Sequence, residues 1–134
     1  LDASLFFQTA LGFDIFNIHD FYYGTKNFQG NVMDKAYSKN KIISQNPIVC
    51  DYFLEPGDYL KLSSINLGYT LNLNKKYVDA IRLYATASNL FTITKFSGID
   101  PSNYQLNGLN PGATGSRTYF PSTRQFMIGM QLDF

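Results

Sequence analysis

The sequence predicts an all-β fold, made of about four C-terminal antiparallel strands of a large transmembrane β-barrel. Three observations predict it: residues 124–134 alternate between apolar and polar side chains, charged residues are scarce, and two long connections flank a short one. A period of two places successive side chains on opposite faces of a strand. Roughly ten residues are also what a tilted strand needs to cross a bilayer.

The composition favours strands whose second face meets water without charge. Charged residues make up 16% of the chain, against roughly 25% in typical soluble domains. Aromatic residues make up another 16%, with 10 Tyr and 12 Phe but no Trp. The net charge is +1 with no basic run, which argues against nucleic acid as a partner. The single cysteine, Cys50, excludes an internal disulfide framework and is interpreted as a passive residue.

The two outer strands show the alternation most simply. In the last one, apolar residues share one parity and mostly polar residues the other, with Met127 as the exception. The apolar set is Phe126, Ile128, Met130, Leu132 and Phe134, opposite Gln125, Gly129, Gln131 and Asp133. The first strand, to about Gly12, has Leu1, Ala3, Leu5 and Phe7 opposite Asp2, Ser4 and Gln8.

The second strand, residues 57–73, carries the longest alternating signal. Its apolar side chains change parity at Ser63-Ser64, where one extra residue in a β-bulge would restore a single apolar face. The third strand alternates through residues 81–88 and continues to Thr94, with an interruption at Asn89-Leu90 that predicts a second irregularity.

The connections have unequal lengths. Residues 13–56 and 95–118 form long Gly-, Pro- and Asn-rich segments, whereas residues 74–79 form a short polar turn, and the terminal strand is expected from about Tyr119. A short helical turn is expected within residues 32–37. Antiparallel pairing places both long segments at one end, as in outer-membrane barrels. Four strands cannot close a barrel, since the smallest such barrels have about eight. Either residues 1–134 are therefore the C-terminal segment of a larger barrel, or these strands do not face lipid.

Three stretches of the sequence resemble the C-terminal end of the SusC/RagA-type TonB-dependent outer-membrane transporters. They are Gly-Asp-Tyr-Leu-Lys-Leu at 57–62 with Ile-Asn-Leu-Gly-Tyr-Thr-Leu at 65–71, the 82–101 segment with its Asn-Leu-Phe and Gly-Ile-Asp-Pro motifs, and Tyr-Phe-Pro at 119–121 with residues 125–134. Their order and spacing match the family, and residues 5–17 resemble an earlier strand and loop. Lys61, Ser63-Ser64 and the lack of Trp depart from the family pattern and concern local packing.

The resemblance implies a barrel of about 22 strands, plugged by an N-terminal domain, in the outer membrane of a Gram-negative bacterium. It also implies a SusD/RagB-type surface lipoprotein as partner and the TonB complex as the energy source, acting through a plug that this chain lacks. The implied function is nutrient import, with oligosaccharides or oligopeptides as substrates, and no bond chemistry.

Candidate contact residues lie in the long connections. Phe21, Tyr22, Tyr23 and Tyr104 could stack on a sugar ring or a peptide, pin the loops to the barrel rim, or meet the lipoprotein. Asp14, Asn17, His19 and Asp20 form a cluster of metal-ligand types, but their spacing matches neither a zinc nor a calcium motif, and loop hydrogen bonding is the expected role.

One face of the strands is expected to meet the outer-membrane lipid. The expected lipid-facing residues are Ile65, Leu67, Tyr69, Leu71, Ile81, Leu83, Phe126, Ile128, Met130 and Leu132. Tyr69, Tyr77 and Tyr84 lie near strand ends and are candidates for an aromatic girdle, with Tyr69 and Tyr77 favoured. Phe134 is expected to end the strand that closes the barrel.

No catalytic arrangement is present in the sequence. A single His lacks a nucleophile in a strained turn, and the Gly-rich segment at 111–115 lacks the Lys and the following helix of a phosphate loop. The sequence therefore predicts neither an enzyme nor a cofactor. The alternative function is a secreted or periplasmic carbohydrate-binding β-sandwich, which explains the aromatic loops but neither the low charge nor the terminal Phe.

Overall fold

The computed structural model describes residues 1–26, 30, 32–40, 48–75, 77–104 and 120–134. Its strands are β1 (Asp2–Ala10), β2 (Asp14–Phe16), β3 (Leu54–Pro56), β4 (Tyr59–Lys75), β5 (Val78–Thr94) and β6 (Gln125–Asp133). One helix, α1 (Ile18–Tyr23), and two 3₁₀ turns, Asp34–Ala36 and Asp51–Phe53, complete the described elements. Over those residues, none of the helices has the length and apolar character needed to cross a membrane.

The chain divides into two compact units. The sheet unit contains Leu1–Thr9, Leu60–Ile93 and Ser122–Phe134, and the connection unit contains Ala10–Tyr59 and Thr94–Pro121. We call residues 11–58 the first connection and residues 95–124 the second connection. Each unit packs through contacts among its own residues.

The sheet unit is a single four-stranded sheet in the order β1-β4-β5-β6. β5 and β6 are antiparallel, and their register opposes Ile81 to Leu132 and Ser88 to Gln125. The four strands and their order agree with the predicted antiparallel arrangement. The described part of the chain forms an open sheet and does not close a barrel.

β1 also runs antiparallel to β4. The Asn66 amide donates to the Ser4 hydroxyl at 3.1 Å, while the Asp2 carboxylate lies 2.6 Å from the position that a Cβ on Gly68 would occupy. The residue number falls along β4 as it rises along β1, which is the antiparallel sense. The end of β1 and the start of β4 therefore lie at the same end of the sheet.

The sheet has one apolar and one polar face. On the apolar face, the β5–β6 register opposes Leu83 to Met130, Ala85 to Ile128 and Ala87 to Phe126. The opposite face carries the Arg82–Gln131, Tyr84–Gly129 and Thr86–Met127 pairs. Met127, the exception in the sequence pattern, lies on the polar face. Tyr84 lies there too, on the face opposite the residues expected to meet lipid.

Both predicted irregularities have counterparts. In β4, Tyr59 and Lys61 are buried on one parity and Leu62 is buried on the other, so the alternation changes phase next to Ser63-Ser64. In β5, Asn89 has a φ of 54°, a left-handed conformation that breaks the regular pleat. Its side-chain amide donates to the Thr123 carbonyl oxygen at 3.2 Å.

Several predicted boundaries need correction. The terminal strand starts at Gln125 and not near Tyr119, which lies outside the described residues. Pro121 just upstream cannot donate to a strand ladder. The turn between β4 and β5 is shorter than predicted, because the strands extend to Lys75 and from Val78. Lys76 lies outside the described residues, as does the Gly-rich segment at 111–115.

The first connection contains more regular structure than predicted. The expected helical turn is present as the 3₁₀ turn Asp34–Ala36, but α1 and the β2–β3 pair were missed. β2 and β3 are antiparallel, with Ile15 opposite Glu55. α1 begins because the Asn17 side chain accepts a hydrogen bond from the Asp20 N–H at 3.0 Å, which satisfies one of the free donors at a helix start.

Candidate functional site in the connection unit

An aromatic cluster forms the core of the connection unit. Phe53 is 1% exposed, and its ring lies 5.2 Å from that of Phe21, 6.0 Å from that of Phe16 and 5.3 Å from that of Tyr52. The Phe21 and Phe53 rings meet edge to face, at 85°, which is a favoured geometry for aromatic pairs. Ile15, fully buried on β2, adds aliphatic packing to the unit.

The four predicted contact residues have different surroundings. Phe21 belongs to the aromatic cluster, and the Tyr104 ring lies 4.8 Å from that of Phe13. Tyr23 lies near His19, at 6.1 Å between ring centroids. Tyr22 is 37% exposed at the surface of α1. The Tyr22 ring also meets that of Phe21 edge to face, at 5.1 Å between centroids. All four side chains therefore pack against another ring, and Tyr22 differs from the others in its exposure.

A polar network centred on Ser97 joins the two connections within this unit. The Ser97 backbone N–H donates to Glu55 Oε2 at 2.6 Å, and its hydroxyl donates to Glu55 Oε1 at 2.7 Å. Asn17 Nδ2 donates to Glu55 Oε1 at 3.1 Å and lies 3.3 Å from Ser97 Oγ. Lys35 Nζ donates to Ser97 Oγ at 2.8 Å. A single carboxylate and a single hydroxyl thus connect three segments of the first connection to the second.

The same network continues inside the first connection. Lys35 pairs with Asp20 at 3.5 Å, and Asp20 Oδ1 accepts from the Asn40 amide at 2.9 Å. Asn40, fully buried, also donates to the Gly24 carbonyl oxygen and accepts from the Tyr52 hydroxyl at 2.8 Å. The buried amide and carboxylate are therefore hydrogen-bonded, as buried polar groups require.

The environment of Glu55 favours its ionised form. Partial burial acts to raise the pKa of the Glu55 carboxyl, but the hydrogen bonds from the Ser97 hydroxyl, the Ser97 backbone and Asn17, with the positive charge of Lys35, outweigh burial. The pKa of Glu55 is consequently lower than its usual value.

Sequence reasoning missed Glu55, Ser97 and Asn40. Glu55 precedes Pro56-Gly57 and Ser97 precedes a Gly, so each lies in an ordinary turn pattern. Their partnership spans 42 residues, and no local periodicity encodes such a distance. The metal-type cluster was recognised, and Asn17 and Asp20 do make the expected loop hydrogen bonds. Among the described residues, no three His, Cys, Asp or Glu side chains are grouped as metal ligands.

The polar face of the sheet unit carries a second set of contacts. Arg82 and Asp2 form an ion pair of 2.8 Å across the intervening strand β4. They meet over Gly68, where a Cβ would come within 2.6 Å of the Asp2 carboxylate. Both side chains are substantially exposed, so the pair orders this face more than it stabilises the fold.

Comparison with known proteins identifies the family. No family model matches the sequence. The TonB-dependent receptor SusC of Bacteroides thetaiotaomicron is 34% identical over 95 residues, which cover 67% of this chain and 9% of the receptor. The TonB-dependent receptor P3 of Formosa agariphila is 28% identical over 152 aligned residues, which cover 99% of this chain and 15% of the receptor.

Solved structures show the same relationship. A chain of the RagAB peptide importer in its open-open state matches with a TM-score of 0.72 and 26% identity, over 98% of this chain and 15% of that chain. The closed-closed state matches with the same TM-score and 23% identity. The chain belongs to the SusC/RagA-type TonB-dependent outer-membrane transporters.

As a SusC/RagA-type chain, it provides antiparallel strands of a transporter barrel, which confirms the predicted fold class. The alternative of a carbohydrate-binding β-sandwich does not fit these relatives or the single four-stranded sheet among the described residues. The chain spans 15% of the length of receptor P3 and 9% of that of SusC. The names of these relatives describe receptors and importers rather than enzymes.

Proposed function

We propose that the chain forms C-terminal strands of the barrel wall in an outer-membrane importer of a Gram-negative bacterium, energised by the TonB complex through parts outside this chain. The observation that carries the proposal is the division of the sheet into two faces. The Leu83–Met130 and Ala85–Ile128 pairs lie on one face, with Leu83, Met130 and Ile128 exposed, and the Arg82–Gln131 pair lies on the other. Apolar-out and polar-in alternation is the pattern of a membrane barrel.

The proposed lipid face extends across three strands. Ile128 is 87% exposed and Phe126 is 74% exposed, which is far more than an apolar sheet face in a soluble domain would leave to water. The proposed lipid-facing residues remain Ile65, Leu67, Tyr69, Leu71, Ile81, Leu83, Phe126, Ile128, Met130 and Leu132.

The long connections are proposed to form part of the external mouth. The end of β5 lies opposite the start of β6, where the second connection begins and ends. Long external and short periplasmic connections are typical of outer-membrane barrels. Tyr22 is the most suitable of the predicted contact residues to touch a substrate or the proposed SusD/RagB-type lipoprotein, because it is exposed although its ring also packs against Phe21.

We propose oligosaccharides or oligopeptides as the imported substrates. The RagAB neighbours are peptide importers, whereas the names of SusC and P3 specify no substrate. Uptake of a labelled oligopeptide set and a labelled oligosaccharide set by cells carrying the full transporter would separate the two classes. Uptake of neither set, with the transporter inserted, contradicts the import proposal.

Orientation can be tested with the native Cys50, which is exposed in the first connection. A membrane-impermeant maleimide added to intact cells should modify Cys50 in the full transporter, as read by peptide mass mapping. The matched variant carries Cys50→Ser and Tyr77→Cys, since Tyr77 is exposed between β4 and β5. It should react only after the outer membrane is permeabilised. Labelling of Tyr77→Cys on intact cells would reverse the orientation.

A further inference from the structure

The segment from Thr94, the last residue of β5, to Tyr104 is held against the first connection at three places. Near β5, the Thr94 hydroxyl donates to the Asp58 carbonyl oxygen at 2.8 Å. Three residues later, Ser97 makes its paired hydrogen bonds to Glu55. Further along, the Tyr104 ring lies 4.8 Å from that of Phe13. A segment fixed at both ends and in its middle has little freedom to move independently.

The middle attachment differs from the other two in chemistry. Glu55 accepts three hydrogen bonds with its two carboxylate oxygens, two from Ser97 and one from Asn17. Hydrogen bonds to an ionised group are roughly twice as strong as neutral ones. The acceptor must be a carboxylate, because an amide would turn a donor toward one of these N–H or O–H groups.

Ser97 also binds a second part of the first connection. Its hydroxyl accepts from Lys35 at 2.8 Å while it donates to Glu55. Lys35 in turn pairs with Asp20 in α1. The hydroxyl therefore joins β3 directly to the 3₁₀ turn at Asp34–Ala36, and Lys35 extends this link to α1.

We propose that Glu55, Ser97 and Lys35 form a latch that makes residues 14–25 and 34–40 of the first connection and residues 95–104 of the second move as one body. Glu55 and Lys35 act as positioning residues, and the Ser97 hydroxyl is the point where their two branches meet. A contact that displaces either connection then also displaces the other. The inference rests on the proposed function only in placing this body at the external mouth of the barrel.

Hydrogen exchange on the purified full-length transporter tests the latch. Ser97→Ala should raise exchange by at least about tenfold, the scale of one lost charge-assisted hydrogen bond. The rise should reach residues 95–104 and also residues 14–25 and 34–40. Exchange in β4, β5 and β6 should stay unchanged. Ser97→Thr keeps the hydroxyl and should restore protection.

Two further variants keep the test decisive if Ser97→Ala inserts poorly. Lys35→Met removes one branch, and Glu55→Gln replaces the acceptor; each should raise exchange in both connections. Ser38→Ala is the matched control, because its hydroxyl bonds only the nearby Asp34 carbonyl oxygen among the contacts described, and it should change neither connection. A rise confined to residues 95–104, or no rise in any variant, would overturn the latch.

This measurement is independent of import. A transporter with the wrong orientation or no uptake of the tested substrates would contradict the proposed function while the exchange pattern still supported the latch. Conversely, normal Cys50 labelling with no coupling between the connections would overturn the latch alone.

Discussion

The ring of Tyr84 lies over Gly129, its directly opposed partner on the neighbouring strand. A Cβ at position 129 would collide with the phenol carbons of Tyr84. Glycine within a strand often marks such a close approach, and an aromatic ring over it recovers packing that the glycine lacks. The glycine in the otherwise polar set of β6 is thus explained by a cross-strand contact.

This contact predicts an energetic coupling. Gly129→Ala should lower the stability of the inserted transporter, because the Tyr84 ring must move, and the loss should be smaller in a Tyr84→Ala background. A coupling of about 0.5–1 kcal/mol is the scale of a cross-strand pair. Urea unfolding in liposomes of the wild type, Gly129→Ala, Tyr84→Ala and the double variant measures this coupling energy. Tyr84→Phe is the control, since it keeps the ring, and strictly additive effects would contradict the proposed contact.

The left-handed conformation of Asn89 predicts a graded response to substitution. Asn89→Gly keeps the φ of 54° accessible and loses only the hydrogen bond to Thr123, so its effect should be small. Asn89→Val places a β-branched residue in the left-handed region and should cost about 1–2 kcal/mol. Urea midpoints of the two variants give the comparison. Equal midpoints would mean that the backbone irregularity is relieved at little cost.

Sequence patterns predicted what depends on local periodicity. The alternation of β5 and β6 identified both faces, and the break at Asn89-Leu90 identified the residue with positive φ. Tyr84 was harder to place, because an aromatic side chain fits both a girdle and the polar face. The parity of β5 places Tyr84 with Arg82 and Thr86, but its contact with Gly129 depends on strand register, which is not visible in a single strand.

The connection unit was predicted far less well. α1 has six residues and one capping side chain, which is too short for a helical period to emerge from the sequence. Glu55 and Ser97 lie on different connections, and their pairing depends on how the connections fold back together. Long-range hydrogen bonds of this kind leave no repeated pattern. The site was therefore recognised only by its aromatic and metal-type residues.

The Glu55 carboxylate predicts that the attachment of the second connection to the first weakens at acidic pH. The pKa of Glu55 in the folded protein is lower than its ordinary value. The contribution of Glu55 to stability is therefore fully present above the unfolded pKa and is lost as pH falls through the folded pKa. A nitroxide at Ile99→Cys, in the full transporter with Cys50→Ser, should stay equally immobile from pH 7 to about 5. Its mobility should rise at more acidic pH.

The charge-free variant separates Glu55 from the other acids. With Glu55→Gln, the same nitroxide should be mobile already at pH 7, and the acid-induced change should largely disappear. Asp20 also pairs with Lys35, so a pH response that persists in Glu55→Gln would assign the titration to another group. Spectra of a nitroxide on the sheet unit, at Tyr77→Cys with Cys50→Ser, control for general acid unfolding.

Adjacent residues on β6 provide the sharpest test of the lipid face. Ile128 lies on the apolar face opposite Ala85, and Met127 lies on the polar face opposite Thr86. The two positions are at nearly the same depth, and both are apolar and exposed in the sheet unit. Gln131 is a poorer control, because an Arg there would oppose Arg82, and like charges directly opposite are destabilising.

Ile128→Arg should lower the yield of inserted transporter sharply. An arginine that faces hydrocarbon near the bilayer midplane costs about 2–4 kcal/mol in a membrane barrel, since its charge must be desolvated or reach the interface. Met127→Arg should insert much better, because its face is proposed to meet water or the plug. The quantity to compare is the amount of transporter extracted from the membrane that is heat-modifiable, measured at equal synthesis of the variants. If Met127→Arg fails while Ile128→Arg inserts normally, the proposed lipid face is the wrong side of the sheet.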